Sequence, residues 1–233
     1  MYFALVTGAS GGLGSEIGLA LLKNDVTVFG VYNNTTIRSK LIEYNNFIPI
    51  KADISKKPDI TSLVQEILTK TNCLDYLINA AGITHDGLLI KYSESDWDRV
   101  ISINLSACFY IIREALPLLR QSSHGHIINI SSISGIIGRA GQTAYSASKA
   151  GLIGMSLSMA REFAEFGIRV NVITPGYMQT SMGNLNQEAM KEAQKNSLIN
   201  TLSKPEEAAE MILNILNMNN ITGQIFNLDS RII

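Results

Sequence analysis

Tyr145 and Lys149 stand four residues apart in QTAYSASKAG (142–151), a segment with no other charge. On a helix that spacing puts both side chains on one face, where the ammonium approaches the phenol and favours its ionised form. A phenol so placed is an acid or base for a carbonyl/alcohol pair. It protonates the oxygen when the carbonyl carbon is reduced and deprotonates the alcohol in reverse, work worth about 10²–10⁴ in rate. The reacting oxygen also needs a fixed donor. HIINISSISG (126–135) offers Ser131 and Ser132 where an apolar strand ends, and Ser132 is the expected donor. Asn104, in ISINLSA, falls within a long helical pattern that an amide does not favour, and it is expected to hold a water linking Lys149 to solvent.

A second pattern supplies a partner for this chemistry. TGASGGLG (7–14) follows the first apolar run, so Gly8, Gly12 and Gly14 lead into a helix beginning near Ser15. Glycine there lets the backbone approach a pyrophosphate, and the free N–H groups of the helix start face its charge. A dinucleotide is therefore expected, with Tyr145 ionising near neutral pH under the joint influence of Lys149 and a cationic nicotinamide. Moving a phenol about 3 units requires about 4 kcal/mol of differential stabilisation. Sites that hold the ribose hydroxyls of NAD place an acid after the second strand. Here Val26 to Ile42 contains no carboxylate, whereas Asn33, Asn34, Thr35, Thr36, Arg38 and Lys40 offer donors to a 2′-phosphate. NADP is the expected cofactor.

The elements that must position these groups alternate. Seven short runs read as strands: 2–6, 26–31, 47–51, 74–79, 126–131, 169–174 and 224–229. Between them lie amphipathic segments, among them 15–24, 59–70 and a single long helix over 95–119. Near-continuous apolar strands are buried on both faces, so the expected architecture is α/β, a parallel sheet covered by helices on each side, with ligands at the strand C-termini. In SKPE (203–206), Ser203 reads as an N-cap, Pro205 as a first-turn residue and Glu206 as the capping-box partner of a helix running to about Asn217.

Composition narrows the function further. With 233 residues, 46% of them hydrophobic, and no linker, one domain is expected. The net charge is -1 and no basic run occurs, which argues against nucleic acid and against a membrane surface. Cys73 and Cys108 are far apart and lack metal-ligand spacing, so both read as buried apolar fillers and no metal site is expected. No basic region precedes MYFALVTGAS, and no uninterrupted apolar stretch reaches about 18 residues. A reducing, cytoplasmic setting is expected.

Taken together, TGASGGLG, NAAG (79–82), Asn104, Ser132, YSASK (145–149) and PGYMQT (175–180) resemble the short-chain dehydrogenase/reductase family over nearly the whole chain, in that family's order and spacing. The resemblance is strongest to reductases of 3-oxoacyl-[acyl-carrier-protein]. It implies a single-domain Rossmann fold with strand order 3-2-1-4-5-6-7 and a catalytic tetrad of Asn104, Ser132, Tyr145 and Lys149. It also implies an NADP site built from Gly8, Ser10, Gly11, Gly12, Leu13, Gly14, Asn33, Asn34, Asp53 and Ile54. The remaining contacts would come from Asn79, Ala80, Ala81, Gly82, Ile130, Pro175, Gly176, Met178 and Thr180, with Tyr145 and Lys149. The implied reaction is NADPH-dependent reduction of a 3-oxoacyl thioester carried on acyl carrier protein or coenzyme A, in fatty acid biosynthesis. Relatives commonly form homotetramers through the long helices, here about 95–119 and 148–166; a homodimer is the alternative. A substrate lid is expected around 181–203, where Met178, Met182, Leu185 and Met190 offer an adaptable apolar wall. Other readings are an alcohol/ketone oxidoreductase acting on a steroid, sugar or quinone, and a nucleotide-binding protein without catalysis. Ala80 replaces the second Asn of the family's usual NNAG. Ser123 and Phe166 stand where carrier-protein reductases often present basic residues, and NLDSRII (227–233) lacks a frequent glycine pair.

Overall fold

Seven β-branched runs form one parallel sheet in the order β3-β2-β1-β4-β5-β6-β7. The computed structural model describes residues 1–231. In chain order the elements are β1 (Tyr2–Thr7), α1 (Gly12–Leu22), β2 (Val26–Tyr32), α2 (Ser39–Ile42), β3 (Phe47–Lys51), α3 (Lys57–Leu68) and β4 (Tyr76–Asn79). They continue with α4 (Glu94–Ile101), α5 (Ala107–Leu119), β5 (His126–Ile130), α6 (Ser134–Ile137) and α7 (Thr143–Glu162). The last are β6 (Arg169–Pro175), α8 (Gln187–Lys195), α9 (Pro205–Leu216) and β7 (Ile225–Leu228). Residues alternate across the sheet. Leu5, Phe29, Leu77 and Ile127 pack with α3, α5 and α7 on one face, while Ala4, Val28, Ile78 and Ile128 pack with α1 and α9 on the other. This is why the strands read as unbroken apolar runs: both faces are covered, and each fully buried Leu or Ile contributes about 1.5–3 kcal/mol.

Several boundaries differ from expectation, each for a local reason. α1 starts at Gly12, three residues before Ser15, because Gly11 is extended and serves as its N-cap. β4 starts at Tyr76 because the Asp75 carboxylate, two residues into the expected strand, accepts from the Phe3 N–H at 2.8 Å. The expected 95–119 helix is interrupted by a π-helical turn at Ser102–Ser106. α7 begins at Thr143 and ends at Glu162, so Tyr145 lies in its first turn. Ser203 is not an N-cap: its hydroxyl donates to the Leu228 carbonyl at 2.9 Å, tying the approach to α9 onto β7, and Lys204 takes the cap position with Pro205 following. Cys108 is buried, but Cys73 is only partly so, and both thiols are free. The run Glu94–Leu119 is long and apolar enough to cross a membrane by length and composition, which the sequence reading did not anticipate. Its apolar side packs in the core, with Ile111, Ile112 and Ala115 fully buried. Of the tail NLDSRII, the final two residues lie outside the described part.

At the N-terminal edge of the sheet, opposite the glycine-rich turn, a polar group is locked in the core. His126 is 0% exposed, and its Nε2 lies 2.8 Å from Asn171 Nδ2 while Nδ1 has no partner. Arg169 beside it donates to the carbonyls of Met218 and His124, pinning the loops that precede β7 and β5. Burial first, and the Arg169 charge second, hold the imidazole at a pKa of about 3. Unfolded histidine titrates near 6.5, so below that pH the unfolded chain binds the extra proton. Stability is therefore full above pH 6.5 and falls as the pH drops toward 3. At pH 5 the protein should be about 2 kcal/mol less stable than at pH 8 from this group alone. Urea unfolding at both pH values checks this, and His126→Gln should remove that part of the difference.

Candidate active site

All strands run parallel, so their C-terminal ends share one edge, and along it lies a cavity of about 1170 Å³. The glycine-rich turn forms its floor. Gly8 has φ +69, and a Cβ there would lie 2.8 Å from Ala81 Cα, so the turn and the segment after β4 approach as closely as backbone allows. A Cβ on Gly12 would collide with the Thr180 side chain. Thr7 Oγ1 accepts from the N–H groups of Ala80 and Ala81 at 3.1 Å each, a role of the backbone that makes no use of the side chain at position 80.

The expected cofactor residues meet at this cavity with one exception. Gly8, Ser10, Gly11, Gly12, Leu13 and Gly14 line it beside Asn33, Asn34, Asp53 and Ile54, and Ala80, Ala81, Gly82, Ile130, Pro175, Gly176, Met178 and Thr180 complete the wall. Asn79 lies behind it: its amide donates to Asn129 Oδ1 at 2.8 Å within the sheet, and its own Oδ1 is buried without a partner. A dinucleotide fits this set. There is a glycine cradle where a Cβ would clash, the start of α1 opens onto it, and no acid stands at the end of β2. Arg38 and Lys40 do not line the cavity. Both pair with the buried Glu16 carboxylate, at 3.0 and 2.5 Å, and the donors at the cleft are Asn33, Asn34 and Thr35.

Ser132, Tyr145 and Lys149 line the same cavity. Lys149 is buried, and its ammonium donates to the Ile130 carbonyl at 2.8 Å. Ser131 spends its hydroxyl on the Lys149 carbonyl at 2.8 Å, which leaves Ser132 as the strand-end hydroxyl facing the cleft. The family model of the short chain dehydrogenases matches residues 2–194. This chain belongs to the short-chain dehydrogenase family.

The dehydrogenase is 34% identical to a 3-oxoacyl-[acyl-carrier-protein] reductase of Thermotoga maritima, the match covering 98% of this chain and 96% of the relative. It is 35% identical to carbonyl reductase family member 4 of Xenopus laevis, over 96% and 94% of the two chains. Among solved structures, the Pseudomonas aeruginosa RhlG/NADP active-site complex superposes with a TM-score of 0.91 at 30% identity, covering 98% of this chain and 95% of that one.

The electrostatics at Tyr145 and Lys149 are set chiefly by burial. Burial raises the Tyr145 phenol, the Ser132 hydroxyl beside it lowers it, and the Asp86 charge raises it again. Lys149 Nζ lies 5.7 Å from the centre of the phenol ring. Burial brings that lysine itself down to about 8. Burial is the largest influence on each group and acts against the charged form of both. Asn104 makes three side-chain hydrogen bonds: Oδ1 accepts from Ile83 N–H at 2.9 Å, while Nδ2 donates to the Ile83 carbonyl at 2.9 Å and to Ser148 Oγ at 3.1 Å. It is a brace between the loop after β4 and α7. The π-helical turn swings it inward.

Sequence reasoning missed Asp86, Arg139, Gln142 and Tyr177, all of which line the cleft. Gln142 directly precedes the helix bearing Tyr145, and this was the one available signal. Asp86 and Arg139 sit in polar loops without periodicity. Replacing Asn104 by Ala would strip both backbone groups of the partly buried Ile83 of their side-chain partner, and the expected loss is about 1–3 kcal/mol in urea unfolding.

Proposed function

We propose that this dehydrogenase uses NADPH to reduce a 3-oxoacyl thioester, carried on acyl carrier protein or coenzyme A, to the 3-hydroxyacyl thioester in fatty acid biosynthesis. The observation that carries the reading is the convergence of Tyr145, Ser132 and Lys149 on one cavity with the glycine-rich turn. NADPH, when bound, supplies the hydride. Ser132 donates a hydrogen bond to the β-carbonyl oxygen, and Tyr145 gives that oxygen its proton. Lys149, charged below a pH of about 8, holds the nicotinamide ribose and stabilises the phenolate left behind. Asn104 keeps α7 and the loop after β4 in register for this.

The cofactor is NADP(H). The carboxylate-free end of β2 supports it, with Asn33, Asn34 and Thr35 at the cleft, and so does the NADP complex of the Pseudomonas relative. Support for an acidic carrier comes from Arg120, whose guanidinium lies 4.1 Å over the Phe166 ring and brings a cation to a face that lacks basic residues at 123 and 166. Residues 181–203 serve as the lid of a single catalytic domain. Met182, Leu185 and Leu198 line the cavity from exposed positions, and Ala189 and Ala193 line it from buried ones. The half-exposed Trp97 and Phe109 on α4 and α5 support assembly into a homotetramer, and the two free cysteines support a reducing cytoplasm. A second reading, a ketone or alcohol without a carrier, draws on the amphibian carbonyl reductase.

NADPH consumption with acetoacetyl-CoA tests the proposal, and Tyr145→Phe should lower kcat by about 10²–10⁴. Equal turnover by both proteins would remove Tyr145 from its role. Turnover of simple ketones but of no 3-oxoacyl thioester would favour the second reading. In competing titrations NADPH should bind more tightly than NADH, and its affinity should fall as the pH rises through about 8 with the charge on Lys149.

A further inference from the structure

The substrate half of the cleft contains a carboxylate outside the tetrad. Asp86, on the loop after β4, lines the cavity with Tyr145. Although exposed, it is held: Thr84 Oγ1 donates to its Oδ1 at 2.6 Å, and Gln142 Nε2 reaches both oxygens, at 3.1 and 3.3 Å. Gln142 is buried immediately before α7, and its Oε1 accepts from Ser134 Oγ at 3.0 Å. One amide therefore joins the loop bearing Asp86, the start of α6 two residues beyond Ser132, and the helix bearing Tyr145.

The charges around the phenol are unevenly matched. Lys149 comes from its own helix and donates to the Ile130 carbonyl. Arg139 and Glu192, from the loop before α7 and from α8, neutralise each other at 3.1 Å. His85 lies 3.5 Å from Asp96. Tyr177, from the loop after β6, is a further phenol whose pKa is raised, chiefly by burial. Asp86 is thus an anion in this group with no ionic partner among the described residues. A fixed negative charge beside a phenol opposes its ionisation, and the effect grows as a bound substrate displaces screening water. Reduction needs the phenol protonated at the start of each turnover, whereas oxidation needs it ionised.

We propose that Asp86, oriented by Gln142, is a positioning residue that keeps the proton on Tyr145 and so weights the bound site toward reduction, leaving the reaction's own equilibrium untouched. The proposal rests on the acid/base reading of Tyr145. The Asp86 charge acts on the phenol in the same direction as burial.

Asp86→Asn keeps the shape and an oxygen acceptor for Thr84 while removing the charge. With saturating substrates, the alkaline limb of kcat for reduction and the acidic limb for oxidation should both move down by roughly half a pH unit. On the rising part of the oxidation profile, the ratio of oxidative to reductive kcat should then increase about threefold. Asp86→Glu should restore the wild-type limbs, and Gln142→Leu, which frees Asp86 into solvent, should shift them in the same direction as Asp86→Asn. Both kcat values falling alike at every pH, with the limbs unmoved, would make Asp86 a structural residue only and overturn the proposal. A substrate-free readout separates this from failure of the functional reading: ultraviolet titration of tyrosinate, wild type minus Tyr145→Phe, should show the Tyr145 transition at lower pH in Asp86→Asn. An unmoved transition also sinks the proposal, whatever the enzyme turns over.

Discussion

The site depends on one reciprocal clamp between α7 and the end of β5. Lys149 reaches the Ile130 carbonyl with its ammonium while Ser131 reaches the Lys149 carbonyl with its hydroxyl, both at 2.8 Å and both buried. Such paired bonds in a low-dielectric setting are costly to break singly, because each would leave a desolvated group behind. They set the axial position and rotation of α7 against the sheet. Tyr145, one turn earlier, and Ser132, one residue later on the strand side, then face the same cavity. Asn104 and Gln142 extend the clamp on either side, to Ser148 and to Ser134.

The same economy governs the cofactor half. The sheet edge is tightened until backbone meets backbone at Gly8 and Ala81, and one side-chain acceptor, Thr7 Oγ1, holds two N–H groups at once. Arg38 and Lys40 show the converse. They share one carboxylate, that of Glu16, and stand outside the cleft lining, so basic residues in the right part of the sequence do not by themselves make a phosphate site. Neutral donors at Asn33, Asn34 and Thr35 face the cleft instead.

Much of the fold was legible because its periodicity is local. The seven strands were found within one or two residues at each end, since a strand buried on both faces writes itself as an unbroken apolar run. Ser132, Tyr145 and Lys149, which share the cavity, were legible as residues. Their company was not: the π-helical turn that holds Asn104 is a single wide turn inside an apolar helical run and left no distinct pattern in ISINLSA. Ser203 looked like a cap and became a tether to β7, because a strand that arrives about twenty residues later offered its hydroxyl a better acceptor.

The sequence by itself determined the alternation of strands and helices, the glycine turn after β1 and the four-residue spacing of phenol and amine, all properties of neighbours along the chain. Only the tertiary structure decided how those groups are charged and what surrounds them. Burial raises the phenol and draws the amine down, and two distant loops bring Asp86 and Gln142 to the same cavity. The reason is that ionisation answers to the dielectric and to charges in space, which chain order does not encode.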